Sequence, residues 1–182
     1  MACESLIAYS KECKSTAGGV QRLYLLSYKD LGLIEDSNLP YTSGVTDMIT
    51  EVAFDNDARF VNVGTIKNTV GITETLTKTP ETGTSEVATE LTLVISNITS
   101  SSRNFAQSLA EGEVVALIQL RSGNYLIAGL DGGLETSTIA GGSGTAGADL
   151  NGYTITLSGV ENQLLRLVDS AIVPELITPV GA

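Results

Sequence analysis

The sequence predicts a mainly β protein, a β-sandwich or barrel with one short flanking α-helix and long loops that contact other subunits. Aromatic residues are only 5% of the chain and Trp is absent. The core must therefore be built mainly from Val, Ile and Leu. Thr is abundant beside them, and branched side chains of this kind favour strands. Along the chain, about six to eight segments have strand patterns and one has a helical pattern.

The length of 182 residues suits one sizeable core and is short for two complete domains. We therefore expect a single domain over residues 1–182. A polar stretch predicts an N-terminal arm over about residues 1–19. Two prolines near the other end predict an extended C-terminal tail over about residues 169–182.

The first half of the chain contains several strand patterns separated by turn-forming residues. In chain order they lie at 20–28, 45–54, 60–77 and 87–95. Gly, Asn and Pro predict a loop over residues 30–43. The last two strands predict a long hairpin, and a tip rich in Thr, Gly and Pro predicts a long loop at about residues 77–87.

Residues 100–111 form the one clear helical pattern. Phe105, Ala106, Leu109 and Ala110 fall on one stripe of such a helix. A Ser or Thr before the stripe suits an N-cap, and a glycine after it suits the C-terminal end. We expect the stripe to pack on the sheets, although it could also bind a partner.

The second half predicts an apolar hairpin, a loop and one more long strand. The segments are a hairpin at 113–120 and 125–130, a Gly-rich loop at about 131–149, an alternating strand at 151–159 and a short strand at 163–168.

Charge and composition restrict the function. The net charge of −11 argues against tight nucleic-acid binding, which depends on Lys and Arg at phosphates. The chain contains no His, so Ser-His-Asp and Cys-His catalysis and zinc sites that use His are excluded. We predict no enzyme activity, no catalytic residues, no cofactor and no metal.

Two cysteines, Cys3 and Cys13, lie near the N-terminus. They could form a disulfide, but reduced thiols are favoured because nothing resembles an export signal. No apolar stretch is long enough to span a membrane as a helix. We therefore expect a soluble protein made in the cytosol.

Two motifs resemble ligand loops without completing them. Residues 129–133 and 141–144 are Gly-rich but lack the Gly-Lys-Ser/Thr ending of a phosphate loop. Asp55 and Asp57 resemble the start of a calcium loop, whose twelfth position here is Ile66 instead of Glu. Flexible loops and a simple turn are the favoured interpretations.

Two further hypotheses depend on side chains that converge. A carboxylate-only hydrolase needs two acids in one cleft. A carbohydrate-binding or adhesin module needs exposed aromatic platforms, for which the candidates are Tyr9, Tyr41, Tyr125 and Tyr153.

The two predicted loops, at about 77–87 and 131–149, are rich in Thr, Ser and Gly and poor in large apolar groups. Segments of this composition become ordered by adding strands or covering edges on a neighbouring subunit. Mobile loops are the alternative. We predict that the protein assembles with copies of itself.

The order of elements from residue 60 to 159 resembles the tail tube proteins of long-tailed bacteriophages and the related tubes of contractile injection systems. Several short runs also look like small virion proteins of phages that infect Bacteroidetes. These runs are Leu91–Ile95, Arg103–Ala106, Val115–Gln119, Gly123–Tyr125 and Asn151–Thr156. The resemblance covers roughly residues 50–160 and rests on pattern and element order.

This resemblance implies a virion structural protein, the major tail tube subunit, assembled in the host bacterial cytoplasm. Hexameric rings would stack through the loop at 77–87 into a tube, with other tail proteins as partners. Genome DNA would pass along an acidic lumen without tight binding. A tail terminator, head-tail connector or capsid decoration protein is the alternative within this class.

Overall fold

Two β-sheets that share a core make up the fold. The structure is a computed structural model, and it describes Tyr9 and residues 17–35, 37, 39–44, 47–55, 57–81 and 83–177. The strands are β1 (Val20–Ser27), β2 (Tyr41–Ser43), β3 (Ile49–Val52), β4 (Val61–Val63), β5 (Gly71–Thr79), β6 (Thr84–Ser96), β7 (Val114–Leu120), β8 (Tyr125–Ala128), β9 (Glu135–Gly142), β10 (Gly152–Glu161) and β11 (Arg166–Val168). The helices are α1 (Ser100–Glu111) and α2 (Val173–Leu176). The predicted fold class is confirmed.

Seven strands form one sheet and four form the other. The seven-stranded sheet has the order β2-β3-β11-β8-β7-β1-β4, and the four-stranded sheet has the order β5-β6-β10-β9. Neighbours pair antiparallel except β11 and β3, which are parallel. Among the described residues neither sheet closes into a ring, so the sandwich alternative describes the fold.

In the middle of the seven-stranded sheet, β7 is buried on both faces from Val114 to Ile118, which explains its unbroken apolar run. Ala116 and Ile118 face the core between the two sheets, with Leu91 and Leu157 of the four-stranded sheet. Val115 and Leu117 face a second core on the opposite side. A strand covered on both faces has no polar positions to alternate with its apolar ones.

The predicted helix at 100–111 is confirmed as α1. The Thr99 side chain accepts from the Ser102 N–H at 3.2 Å, and the Ser102 hydroxyl accepts from the Thr99 N–H at 2.9 Å. This reciprocal capping satisfies two amides at the helix start. Leu109 is buried in the core between the sheets, whereas Ala110 is exposed, so the buried stripe is narrower than predicted.

The strand predicted at 60–77 is wrong as one element, because the chain crosses between the sheets within it. β4 belongs to the seven-stranded sheet and β5 to the four-stranded one. Asn68 makes the turn between them with a φ of +65°, a backbone conformation that Asn tolerates well. The loop predicted at 30–43 also ends early, because Tyr41–Ser43 pairs with β3 as β2.

The long loop predicted at 77–87 is mostly strand. Thr77, Lys78 and Thr79 pair with residues of β6, so the connection spans only residues 80–83. Gly83, with a φ of +68°, completes this short turn. A segment rich in Thr predicts a loop by its polarity, although the branched side chain of Thr favours strands.

The second predicted loop, at 131–149, contains the whole of β9. β9 pairs with β10 from Glu135 to Gly142, which leaves a shorter loop after it. Gly141 lies so close to Tyr153 that a Cβ there would come within 2.7 Å of the ring. Glycine in this strand therefore makes room for an aromatic ring on the neighbouring strand.

The chain ends differ from expectation where they are described. Residues 173–176 of the tail, predicted to be extended, form one helical turn that buries Val173 and Leu176 in the second core. A proline in its first turn suits a helix start. Cys3, Cys13 and most of the predicted arm lie outside the described residues.

Leu117→Ala should lower the free energy of unfolding by about 2–5 kcal/mol, because it opens a cavity at a side chain that is 0% exposed. Leu164→Ala, at a side chain that is 54% exposed, should change it by less than about 0.5 kcal/mol. Denaturant unfolding of both variants measures the difference. Equal effects would contradict the burial of Leu117 in the second core.

Candidate assembly surface

The four-stranded sheet turns one face to the core and the other to solvent. Val87, Leu91, Leu93, Ile155 and Leu157 face inward and are each 0% exposed. Their alternating neighbours form what we call the outer face. It consists of Thr73, Thr75, Thr77, Thr79, Thr84, Glu86, Ala88, Glu90, Thr92, Val94, Glu135, Thr138, Ala140, Thr154, Thr156, Ser158 and Val160.

Hydroxyl and carboxylate groups dominate the outer face. The strand register places Thr73, Glu90, Ser158 and Glu135 side by side in one row across all four strands. Such a row offers many hydrogen-bonding groups to water. It offers no large apolar anchor of the kind that concentrates binding energy in a protein interface.

Every charged side chain on the outer face is acidic. Lys78 is the one basic residue in the four strands, and it alternates onto the opposite side of β5 together with Leu76. The charges that remain on the outer face are Glu86, Glu90 and Glu135. This surface therefore repels polyanions.

The four-stranded sheet has a free strand at each end. In the part of the chain that the structure describes, β5 pairs only with β6, and all but one of its nine residues are exposed. Among the described residues β9 pairs only with β10, and six of its eight residues are exposed. An unpaired strand of this length presents a row of amide and carbonyl groups that another chain can pair with.

The backbone of Leu76 points toward the open side of β5. Ile66 donates to the carbonyl of Val94 at 3.2 Å, so the even-numbered residues of β6 direct their backbone toward β5. Ala88 is one of these, and it pairs with Thr75. Because consecutive residues in a strand point their backbone groups to opposite sides, the Leu76 amide faces outward.

Helix α1 flanks the beginning of β9. The Thr136 hydroxyl donates to the Leu109 carbonyl at 2.7 Å, which fixes the end of the helix to this strand. From Thr138 to Gly142 the strand is exposed except for half-buried Ile139. The open part of β9 is therefore its second half.

One carboxylate is buried at the far end of the four-stranded sheet. Glu161 is 5% exposed and accepts a hydrogen bond from the Gly129 N–H. Burial raises the pKa of Glu161 and the nearby Asp131 charge adds to this effect, while the Gly129 N–H and Arg166 oppose it. Arg166 itself stacks over the Tyr41 ring at 4.5 Å.

This carboxylate bears on the hydrolase hypothesis. The negative charge of Asp131 helps to raise the pKa of Glu161. The Asp131 side chain itself accepts a hydrogen bond from the Asn162 N–H at 3.0 Å. At 5% exposure, Glu161 is closed to a substrate in this conformation. The arrangement ties the turn after β8 to the end of β10.

The predicted aromatic candidates do not form one platform. Tyr41 and Tyr125 pack against the second core, whereas Tyr153 packs against the core between the sheets. Tyr9 is 89% exposed. Tyr153 therefore lies on the other side of the seven-stranded sheet from Tyr41 and Tyr125.

The first Gly-rich stretch is a tight turn. Gly129 and Gly133 have φ angles of +87° and +80°, and Gly133 donates to the Gly129 carbonyl at 3.0 Å. A Cβ on Gly129 would come within 2.8 Å of the Val114 carbonyl oxygen. Close packing, not phosphate binding, accounts for these glycines.

Asp55 and Asp57 lie at the predicted turn, where Asp57 has a φ of +57°. In the described part of the chain, no group of three or more acidic or cysteine side chains is placed to hold a metal ion.

Comparison of the chain with models of protein families, with curated proteins and with solved structures found no match. Among the described residues, no helix is both long enough and apolar enough to cross a membrane.

Glu161→Gln should remove part of the pH dependence of stability. Because the folded state raises the pKa of Glu161, the stability that this group contributes is full at acid pH and is lost as the pH rises through its folded value. The glutamine stays neutral and keeps an oxygen for the Gly129 N–H. When the free energy of unfolding is measured at several pH values, the value for the variant should increase relative to that of the wild type as the pH rises.

Glu161→Ala is the control, since it leaves the Gly129 N–H without its acceptor and should cost about 1–3 kcal/mol. A wild type and Gln variant with parallel pH profiles would contradict the burial effect.

Proposed function

We propose that this chain is a virion structural protein, the major tail tube subunit of a long-tailed bacteriophage, which forms stacked hexameric rings. The observation that supports this proposal best is the four-stranded sheet, with a free strand at each end and an outer face whose only charges are carboxylates. Its two free strands supply the contacts of a ring, and its outer face supplies the wall of a channel.

The strand directions favour ring closure. All pairs in this sheet are antiparallel, so β5 and β9 run in opposite directions. When β9 of one copy pairs with β5 of the next, the antiparallel pattern continues across the junction. The two surfaces are different, so the contact is heterologous and repeats around a closed ring.

The dimensions of such a ring suit a channel for DNA. Six copies of the four-stranded sheet supply twenty-four strands. At a spacing of about 4.8 Å and a tilt of about 40°, these strands enclose a cylinder about 48 Å across, or about 38 Å inside the side chains. This is wider than a DNA double helix.

The charges on the outer face suit passage without retention. Each copy adds Glu86, Glu90 and Glu135 to the wall and adds no basic side chain from the four strands. Because tight DNA binding requires cations at the phosphates, this wall allows the genome to slide.

The end of the β5–β6 hairpin is our proposed contact between successive rings. From residue 76 to 79 and from 84 to 86 the described side chains are exposed, so this end extends beyond the core. The loop after β9, at 143–151, is exposed throughout and offers a second contact of this kind. Other tail proteins would bind at the ends of the tube.

Leu76→Pro tests ring formation, because it removes an outward N–H from β5 and leaves the inward bonds to β6 in place. Purified wild-type protein should form rings or tubes by electron microscopy, and the proline variant should remain monomeric while folded. Leu76→Ala, which keeps the amide, is the matched control and should still assemble.

Assembly of Leu76→Pro equal to that of Leu76→Ala would argue against pairing through β5. A wild type that stays monomeric or trimeric would favour a decoration protein, and isolated rings that never stack would favour a terminator or connector.

The combined variant Glu86→Lys, Glu90→Lys and Glu135→Lys tests the channel wall. Reversing three charges per copy should produce assemblies that retain DNA, with an affinity that falls steeply as salt increases. Wild-type assemblies should retain none in a filtration assay. A variant with charge reversal at Glu51, Asp55 and Glu175, outside the four-stranded sheet, is the control for net charge and should bind DNA less well. Equal retention by both variants would contradict an acidic wall.

A further inference from the structure

A pocket with two cations lies at one end of the sandwich. Its volume is about 590 Å³, and it is lined by the start of β1, the loop between β4 and β5, and the turn after β7. Lys67 and Arg121 are the two charged side chains among its described lining residues. In a chain whose net charge is −11, such a pair creates a local positive region.

Hydrogen bonds fix the segments that carry the two cations. The Arg121 guanidinium donates to the side-chain oxygen of Asn68, and the Arg121 backbone N–H donates to the Gly19 carbonyl at 3.1 Å. Ile66, which directly precedes Lys67, donates its N–H to a carbonyl of β6 at 3.2 Å. Because a guanidinium has five N–H donors, Arg121 keeps donors for an anion. Its position is set before the anion arrives, which lowers the cost of binding.

An acidic turn lies at the opposite end of the four-stranded sheet. It connects β5 to β6 over residues 80–83, and Glu81 is the one charged residue in its sequence. Glu81 is exposed and follows hairpin positions that extend beyond the core. The loop before β5 lines the pocket, whereas Glu81 comes after β5, so the whole strand separates the two. At about 3.3 Å per residue, this strand is about 26 Å long.

We infer that the pocket of one copy receives Glu81 of a second copy, which is stacked head to tail on the first. The charges are opposite, and the length of β5 keeps Glu81 away from the pocket of its own chain. In this contact the Glu81 carboxylate accepts from the Arg121 guanidinium and lies beside the Lys67 ammonium, as in other charge-assisted pairs. The contact rests on the proposed function, in which the end of the β5–β6 hairpin joins successive rings, and it adds the surface that receives this end.

The direction of β5 fits such stacking. The strand runs from the pocket to the turn, so copies aligned along it place the turn of one beside the pocket of the next. The two surfaces are different, so the contact is heterologous and can repeat along an axis. Pairing between β5 and β9 uses the sides of the four-stranded sheet, whereas this contact uses its ends. Both contacts can therefore form in one assembly.

Carbodiimide cross-linking of the assembled full chain tests the contact directly. The reagent joins a carboxylate to a neighbouring amine, so peptide mapping should find Glu81 linked to Lys67. A mixture of isotope-labelled and unlabelled chains should give links with one isotope on each side, because the two residues are too far apart within one chain. Rings that form without this link would overturn the contact and leave ring formation in place, whereas a wild type that forms no rings would overturn both.

Charge reversal at exposed positions provides the matched variants. Glu81→Lys should give rings that stack into about tenfold fewer tubes by electron microscopy, because like charges then meet at the pocket. Adding Lys67→Glu to this variant should recover part of the stacking, since the reversed charges attract again. Lys29→Glu combined with Glu81→Lys makes the same change of charge at an exposed lysine outside this pocket and should recover none. Stacking of Glu81→Lys equal to the wild type, or equal stacking of the two combined variants, would overturn the contact.

Discussion

The pairing of β1 with β7 is the contact on which the rest of the structure depends. It joins Leu23 to Ile118 and Leu25 to Ala116 in the core between the sheets. The residues between them, such as Tyr24, turn to the second core on the other side. Both cores therefore rest on one ladder, whose residues alternate between its two faces.

The end strands of the two sheets differ in length. In the seven-stranded sheet the end strands, β2 and β4, have three residues each. In the four-stranded sheet the end strands, β5 and β9, have nine and eight. Short end strands are one way in which proteins avoid unwanted pairing, and long ones invite it. The capacity for pairing is thus concentrated in the sheet that has the acidic face.

Much of the fold was predictable because its signals are local. The cap before α1 and the alternation in β10 depend on neighbouring residues, and both predicted elements are confirmed. The two predicted loops are wrong because composition alone does not determine conformation. Thr77–Thr79 and the glycines of β9 are in strands because partner strands satisfy their backbone, which composition does not reveal.

The candidate surface was less predictable than the fold. The net charge of the chain indicated an acidic surface, but the register of four strands is needed to place Glu90 and Glu135 in one row. Glu161 was missed, although it continues the inward alternation of Leu157 and Gly159 and could have been recognised as an inward-facing acid.

The position of Glu161 connects the buried core to the proposed junction between copies. Its carboxylate accepts from Gly129, at the start of the turn that leads from β8 into β9. In the same turn, the Leu134 N–H donates to the Val114 carbonyl at 2.7 Å, and this bond ties the start of β9 to β7. One free strand of the four-stranded sheet is therefore held to the central ladder at its beginning, while its second half stays open. A strand held in this way loses less conformational freedom when it pairs with another copy, and this favours assembly through β9.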